Sequence, residues 1–310
     1  MIPKYQVSVI IINFNSSSFT INCIDSILSK TNKELKYEII IVDNNSKQDD
    51  FLTLKEYCNQ LTNVSLIRSK LNLGFSGGNM LGVQYAESEY LFFLNNDTLL
   101  QNDCLQLLLN FMQHNQNVGV CTAQMYDQNN NFHCSFGYFP SLGLKLLGSS
   151  ALRILEPNLY PSKRKVYTQP IQVQLVTGAA MFVNYHHFAK VGGFDTNYFL
   201  YCEEEDLAMK LKKKGFAAYL VPEAKFIHFM GKSTERNYNI EKEYYISLFY
   251  YLSKNQNFIS YNLLKLYYFI KMILKFYKGS FYIKMAFAIL FKSSIKNSLR
   301  HQNQLSTLHL

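Results

Sequence analysis

The sequence predicts an α/β fold, a mostly parallel central sheet flanked by helices, with a helical extension at the C-terminus. Three observations carry the prediction. Short β-branched runs alternate with stretches of helical apolar spacing through the first half of the chain. Polar clusters (NFN, DNNS and NNDT) follow three of those runs directly. From about Glu241 the alternation stops and the chain turns aromatic and basic. Strands that alternate with helices pair in parallel, with helices over both faces of the sheet.

The elements follow in order. QVSVIIIN, Gln6–Asn13, is short, apolar and β-branched, the pattern of a buried strand. Ser16 to Ser18 can cap the next segment, whose apolar spacing is helical. YEIIIVD, Tyr37–Asp43, is a second buried strand ending in a turn-forming DNNS. A helix from about Gln48 and a third strand, Val64–Arg68, come next. NLGFSGGN reads as a loop, followed by a helix near Met80–Ala86 and a fourth strand ending at Asp97. A helix over Asn102–His114 and the strand VGVCTAQ complete the series. Residues 127–170 read as a hairpin and a loop-rich excursion. Gln172–Val183 reads as a strand, the acidic stretch CEEED as the start of a helix closing on Gly215, and AAYLVP and KFIHF as two short strands.

Charge divides the chain differently. Residues 231–310 hold 12 Lys and Arg against 3 Asp and Glu, a balance of 12 − 3 = +9, which equals the net charge of the whole chain. No acidic residue follows Glu243. On this basis residues 1–235 form the catalytic body and 236–310 a basic helical tail. Lys271, Lys275 and Lys278 share one helix face, away from most of Leu266, Phe269, Ile270 and Ile273. Basic, aromatic helices of this kind suit an anionic membrane surface. The plainer alternative is a bundle packed on the body. No recognition motif accompanies the charge, so nucleic acid is not expected as a partner. The N-terminal apolar run is too short for a secretory signal, which predicts a cytoplasmic protein, peripheral at the inner face of the cell membrane. Six cysteines without a CxxC pair suit reduced, buried thiols.

The candidate sites fall at strand ends, where ligands of such sheets bind. Asn13–Asn15, Asp43–Ser46 and Asn95–Thr98 stand there. Each could be only a turn. An oxygen cluster such as Asn95-Asn96-Asp97 also suits a hard divalent cation carrying a diphosphate. The glycines of NLGFSGGN permit close backbone approach to a ligand, although their order matches neither GxGxxG nor a Walker loop. In CEEED, crowded carboxylates raise one another's pKa, which helps a general base near neutral pH. The bland alternative for any single one of them is a solvated helix start. His228 alone reads as structural, or as a partner of Asp97 in a metal site.

Taken in order, VSVIIINFN, IIIVDNNS, NLGFSGGN, FFLNNDT, VTGAAMFV, GGFDTNYFLYCEEEDLAMKLKKKG and HFMGKST resemble glycosyltransferase family 2, particularly its rhamnosyltransferase-like members. The resemblance covers about residues 5–235 and implies a GT-A fold. It implies an inverting sugar transfer from a nucleotide-sugar donor, with Mg²⁺ or Mn²⁺ as the divalent cation. By position, Asn13, Asn15, Asp43 and Asn44 are implied nucleotide-sugar contacts. So are Gly74, Phe75, Asn79, Asn95, Asn96, Thr177 and Gly178. Asn95-x-Asp97 stands where the family has its DxD motif, so Asp97 and His228 are the implied cation ligands. Glu204 stands at the usual base Asp, with Glu203 beside it, and Lys210 replaces a frequent Arg. The acceptor implied is a glycan or a polyprenyl-diphosphate-linked glycan of cell-surface polysaccharide biosynthesis. Two other readings remain at this stage. One is a non-catalytic glycan- or lipid-carrier-binding scaffold, left open by the substitutions at Asn95 and Glu204. The other is a sugar nucleotidyltransferase, ranked lower because the chain lacks a basic glycine-rich N-terminal loop.

Overall fold

The structure is a computed structural model that describes residues 3–229 and 237–301. The first half alternates as expected: β1 (Tyr5–Asn13), α1 (Ser17–Lys30), β2 (Tyr37–Asp43), α2 (Gln48–Cys58), β3 (Val64–Arg68), α3 (Gly74–Val83) and β4 (Ser88–Asn95). β5 (Thr98–Leu100), α4 (Cys104–His114) and β6 (Val118–Tyr126) follow. The next elements are short: β7 (Phe132–His133), β8 (Phe136–Gly137), α5 (Leu142–Leu155), β9 (Ile171–Val173), β10 (Leu175–Val176), β11 (Ala180–Asn184) and α6 (Tyr185–Lys190). The chain then forms α7 (Glu203–Lys213), β12 (Ala217–His228), α8 (Tyr238–Asn255), α9 (Phe258–Ile273) and α10 (Ser280–Phe291).

The main sheet runs β3-β2-β1-β4-β11-β6-β12-β5. β3, β2, β1 and β4 are mutually parallel, and β12 is parallel to β6; β11 runs against both its neighbours. The inner strands are apolar runs because both faces are covered. Val9 and Ile11 point into one core with Ile24 and Phe92, while Ile10 and Ile40 point into another with Phe93 and Leu207.

Four expectations change. The glycines of NLGFSGGN lie inside α3 rather than in a loop. A methyl group on Gly82 would sit 2.6 Å from Ile10 Cγ2, so glycine lets the helix lie directly on β1. The excursion contains α5, bent at Gly148, where φ is 74°. The run Gln172–Val183 breaks into three strands, of which β10 leaves the main sheet to pair with β8. AAYLVP and KFIHF are the two ends of one strand, β12, irregular between Val221 and Lys225.

The C-terminal helices share an apolar cluster with the body, in which Tyr198, Cys202 and Ala208 meet Tyr251, Leu252, Leu264 and Ile289. The same helices leave Phe258, Leu266, Ile270, Leu274 and Phe291 exposed. Among the described residues no helix is long and apolar enough to cross a membrane. All six cysteines are unbonded thiols, five of them buried.

Candidate active site

β1, β2 and β3 follow one another outward, and β4 then returns to the other side of β1. Strand order therefore reverses at β1, and a ligand crevice is expected beyond the carboxyl ends there. Register sets Asn13 beside Asp43, Asp43 beside Arg68, and Ile12 beside Asn95. A cleft of about 370 Å³ opens at this edge, and Asn44, Gly74, Phe75, Asn79, Asn95 and Asn96 line it. Half of the implied donor contacts are thus brought together.

Asn13 and Asp43 stand beneath this lining. Both are fully buried. The Asn13 amide lies 3.0 Å from Asp43 Oδ1 and 2.9 Å from Asp50 Oδ2, and its oxygen accepts from Thr20. Arg68 reaches Asp43 at 3.5 Å and stacks on Phe51. Asn15 is exposed, with φ 51°, and donates its N–H to Ser46 Oγ. This network fixes the turn so that Asn44 faces the cleft. Asn44 in turn donates to Asn72 and to the Gly74 carbonyl, and accepts from the Leu73 N–H.

Gly74 is the tightest point. Its φ is +70°, and a methyl group there would lie 2.1 Å from the Phe199 carbonyl oxygen. The next residue, Phe75, donates its N–H to that same oxygen at 2.7 Å. α3 is thereby stitched to the segment that enters the acid helix.

Asn95 ends β4 and Asn96 donates to Ser16 and Thr20. Asp97 is buried, and β5 pairs with the end of β12 so that His228 faces Thr98. His228 Nε2 lies 3.1 Å from Asp97 Oδ1. An imidazole nitrogen and a carboxylate oxygen thus meet at the strand end, and the pair could hold a divalent cation there. No cluster of three or more His, Cys, Asp or Glu forms among the described residues. Met230–Thr234, the rest of HFMGKST, lie outside the described residues.

The acid helix α7 is aimed by an unusual entry. Tyr201 and Cys202 are consecutive non-glycine residues with φ of 74° and 64°. Such left-handed residues cost of order 1 kcal/mol or more each and persist only where the surroundings hold them. Buried Asp206 anchors the helix. Lys254 of α8 meets Asp206 Oδ1 at 2.6 Å and Asp195 Oδ2 at 2.9 Å, and Lys210 meets Asp206 Oδ2 at 3.3 Å.

Burial pushes the carboxyls of Glu203, Glu204 and Glu205 above the ordinary range, Glu203 and Glu205 furthest. The charge on Glu204 adds to the rise at both neighbours. Contacts from Glu203 and Glu205, together with the Glu204 and Gly178 amides, pull Glu204 back down. Burial thus opposes ionisation of all three, least at Glu204. Each of the three leaves its Oε2 buried without a hydrogen-bond partner among the described residues. Glu204 adjoins the cleft rather than lining it: a methyl group on Gly178 would lie 3.6 Å from Phe75 and 3.8 Å from Glu204 Oε1. Beside Gly178, the Thr177 hydroxyl is buried and unbonded among the described residues.

The raised carboxyls have a thermodynamic consequence. A folded pKa above the unfolded value of 4.5 gives stability that is complete below 4.5 and declines as pH rises toward the folded value. Glu205→Gln cannot ionise. It is expected to melt above the wild type at about pH 8, with the gain vanishing in acid. Melting curves at the two pH values check this, and equal melting at about pH 8 would refute it.

Several cleft residues carry no sequence signal of their own. Phe199, Leu200, Asn237 and Ile240 close one side. Asn237 and Ile240 belong to the start of α8, so the C-terminal helices contribute to the cleft. Position just before the acid run was the one available clue for Phe199 and Leu200.

The family model described as glycosyl transferase family 2 matches residues 8–191. Rhamnosyltransferase WbbL of Escherichia coli (strain K12) is 27% identical over 236 residues, covering 72% of this chain and 86% of that protein. The N-acetylglucosaminyl-diphospho-decaprenol L-rhamnosyltransferase of Mycobacterium tuberculosis (strain CDC 1551 / Oshkosh) is 35% identical over 82 residues, covering 26% of this chain and 24% of that protein. The mannosyltransferase PcManGT from Pyrobaculum calidifontis, solved in complex with GDP-Man and Mn²⁺, superposes with a TM-score of 0.58 at 14% identity, covering 99% of this chain and 80% of that one. At that identity the likeness shows the fold, which is GT-A. The matched residues include Asn13, Asp43, most of the cleft lining and the Asn95–Asp97 turn, and the chain belongs to glycosyl transferase family 2 as a glycosyltransferase.

Proposed function

We propose that the protein is an inverting, cation-dependent glycosyltransferase acting in cell-surface polysaccharide biosynthesis. It moves a sugar, with rhamnose the first candidate, from a nucleotide-sugar to a hydroxyl of a lipid-linked glycan. The observation that carries the reading is the junction of Phe75, Gly178 and Glu204, which sets the least raised of the three carboxyls against the edge of the cleft. The rhamnosyltransferase names of two relatives support the choice of sugar, and one of them names a diphospho-decaprenol acceptor. The buried, unbonded Oε2 atoms argue against a scaffold, since a purely structural role would satisfy them.

In the reaction, Glu204 takes the proton of the acceptor hydroxyl as its oxygen bonds to the anomeric carbon and the bond from that carbon to the diphosphate breaks. The attack comes from the face opposite the leaving group, so the configuration inverts. Glu203 and Glu205, whose carboxyls are pushed up further, resist ionisation more than Glu204 does. Asn44, Asn79, Asn95 and Asn96 offer neutral hydrogen-bonding groups to the donor. A divalent cation, Mg²⁺ or Mn²⁺, held by Asp97 and His228 would offset the charge of the leaving diphosphate.

The basic tail and its exposed apolar residues are proposed to rest on the anionic inner face of the cell membrane. Co-sedimentation tests this: the chain is expected to follow phosphatidylglycerol vesicles at low salt and to stay in solution with phosphatidylcholine alone. Equal recovery with both would end the proposal.

A thermal-shift panel of nucleotide-sugars with Mn²⁺ tests the donor reading. At a hundredfold excess over Kd, the matching donor is expected to add about 2.7 kcal/mol of stability. The gain should fall sharply with a chelator and in Asp97→Ala. A panel in which no nucleotide-sugar stabilises the protein would sink the reading.

A further inference from the structure

One face of α8 meets the cleft wall and the acid helix at successive levels. Ile240, Ser247 and Lys254 recur every seven residues, close to two helical turns, so they share that face. Ile240 lines the cleft. Ser247 is fully buried and donates its hydroxyl to the Leu200 carbonyl at 2.8 Å. Leu200 is part of the cleft wall beside Phe199. Lys254, two turns further on, bridges two carboxylates, Asp206 Oδ1 at 2.6 Å and Asp195 Oδ2 at 2.9 Å. None of these α8 residues falls within 8–191, the span that the family model matches.

The Lys254 end carries the charge. Asp206 is almost wholly buried in the first turn of α7, two residues after Glu204. Lys210 approaches its other oxygen at 3.3 Å, and the Tyr198 hydroxyl donates to Oδ1 at 3.3 Å. Asp195 also accepts from Tyr250 of α8, at 2.9 Å. Burial opposes the charge on Lys254, and the two carboxylates more than offset it, so its ammonium is held above the ordinary value. A buried carboxylate that loses one of its two cations is under-compensated and moves toward water or another partner. In a turn shared with Glu204, such a movement also displaces the acid that borders the cleft.

We propose that Lys254 is a positioning residue for the transfer: through Asp206 it holds the acid helix so that Glu204 stands at the cleft edge. Ser247, through Leu200, holds the cleft wall for the donor. This rests on the transferase reading above. Neither residue lines the cleft itself, so each acts through the group it holds. The two contacts therefore serve different steps. Lys254 bears on the chemical step, where a displacement of about 1 Å can cost about a hundredfold. Ser247 bears on donor binding, where one buried hydrogen bond is worth about fivefold.

The test is steady-state hydrolysis by the full chain, with Mn²⁺, of the nucleotide-sugar that the thermal-shift panel selects, dTDP-rhamnose first. Lys254→Met, similar in length but uncharged, is expected to lower kcat at least about tenfold with KM unchanged. Ser247→Ala is expected to raise KM about fivefold with kcat nearly unchanged. Lys254→Arg, which keeps the charge, is expected to recover most of the rate. Should Lys254→Met fold poorly, Lys254→Gln, which keeps a donor for Asp206 without the charge, is expected to show the same loss of kcat. Wild-type kcat in Lys254→Met or Lys254→Gln overturns the proposal. So does the same mixed change of kcat and KM in the Lys254 and Ser247 variants, because α8 would then only pack. Failure of Lys254→Arg to recover the rate overturns the part given to charge. A wild type that hydrolyses no nucleotide-sugar in the panel refutes the transferase reading instead, and amide exchange then decides the positioning. Lys254→Met is expected to speed exchange about tenfold at residues 206–209 and to leave β1 unchanged. Equal exchange at 206–209 overturns the link.

Discussion

Glu204→Gln is expected to lower kcat by about a thousandfold while leaving the KM for the nucleotide-sugar near its wild-type value. The substitution keeps shape and hydrogen-bonding reach but removes the carboxylate proposed to accept the proton. Glutamine cannot take the hydroxyl proton, so the loss falls on the chemical step. The proposed donor contacts, the asparagines of the cleft and Asp97, do not change. Stopped-time transfer assays with a nucleotide-sugar binding measurement alongside would show it. Full retained activity would move the base elsewhere in the cluster, with Glu203 next in line. Glu204→Asp asks the complementary question, since the family places the shorter acid here and only reach differs.

Gly74→Ala is expected to be the most damaging single methyl group in the cleft. At φ +70° an L side chain is already strained, and the added carbon would meet the Phe199 oxygen at 2.1 Å. That oxygen is main chain and is also the acceptor of the Phe75 N–H, so it cannot retreat without breaking the link between α3 and the acid helix. The cost should exceed about 3 kcal/mol, with nucleotide-sugar binding lost before the fold is. Gly143→Ala is the control. No atom lies within 4 Å of its added methyl group, and the position is helical, so it should be neutral or slightly stabilising. Denaturant melts of the two variants separate them. Equal stability of Gly74→Ala and the wild type would show that the Phe199 segment can yield.

Much of this was legible in the chain because parallel strands covered on both faces have to be continuous apolar runs. Ile39–Val42 and Leu91–Leu94 could be little else, and the polar residues after them had to lie at the sheet edge. Where partners far away decide, local pattern failed. β10 is two residues whose identity as a strand depends on Phe136–Gly137. The first part of α3, Gly74–Asn79, reads as a loop because glycine disfavours helices, and the close approach of the helix to Ile10 is a tertiary fact. α5 escaped because Gly143 and Gly148 interrupt its helical pattern, and the chain bends at Gly148. The site was legible as motifs but not as a division of labour. Nothing in DNNS said that Asp43 would lie beneath Asn44, or in EEED that burial would push Glu203 and Glu205 up further than Glu204.

The salt link between Lys254 and Asp206 also orders events in time. A chain emerging from the ribosome exposes α7 well before α8 exists, and until α8 docks, Asp206 lacks one of its two lysines and Cys202 lacks the apolar neighbours that hold its left-handed turn. The catalytic edge is therefore among the last parts of the molecule to be finished. A chain cut short in the tail would keep the residues that match the family and still lack the α8 contacts that hold the acid helix.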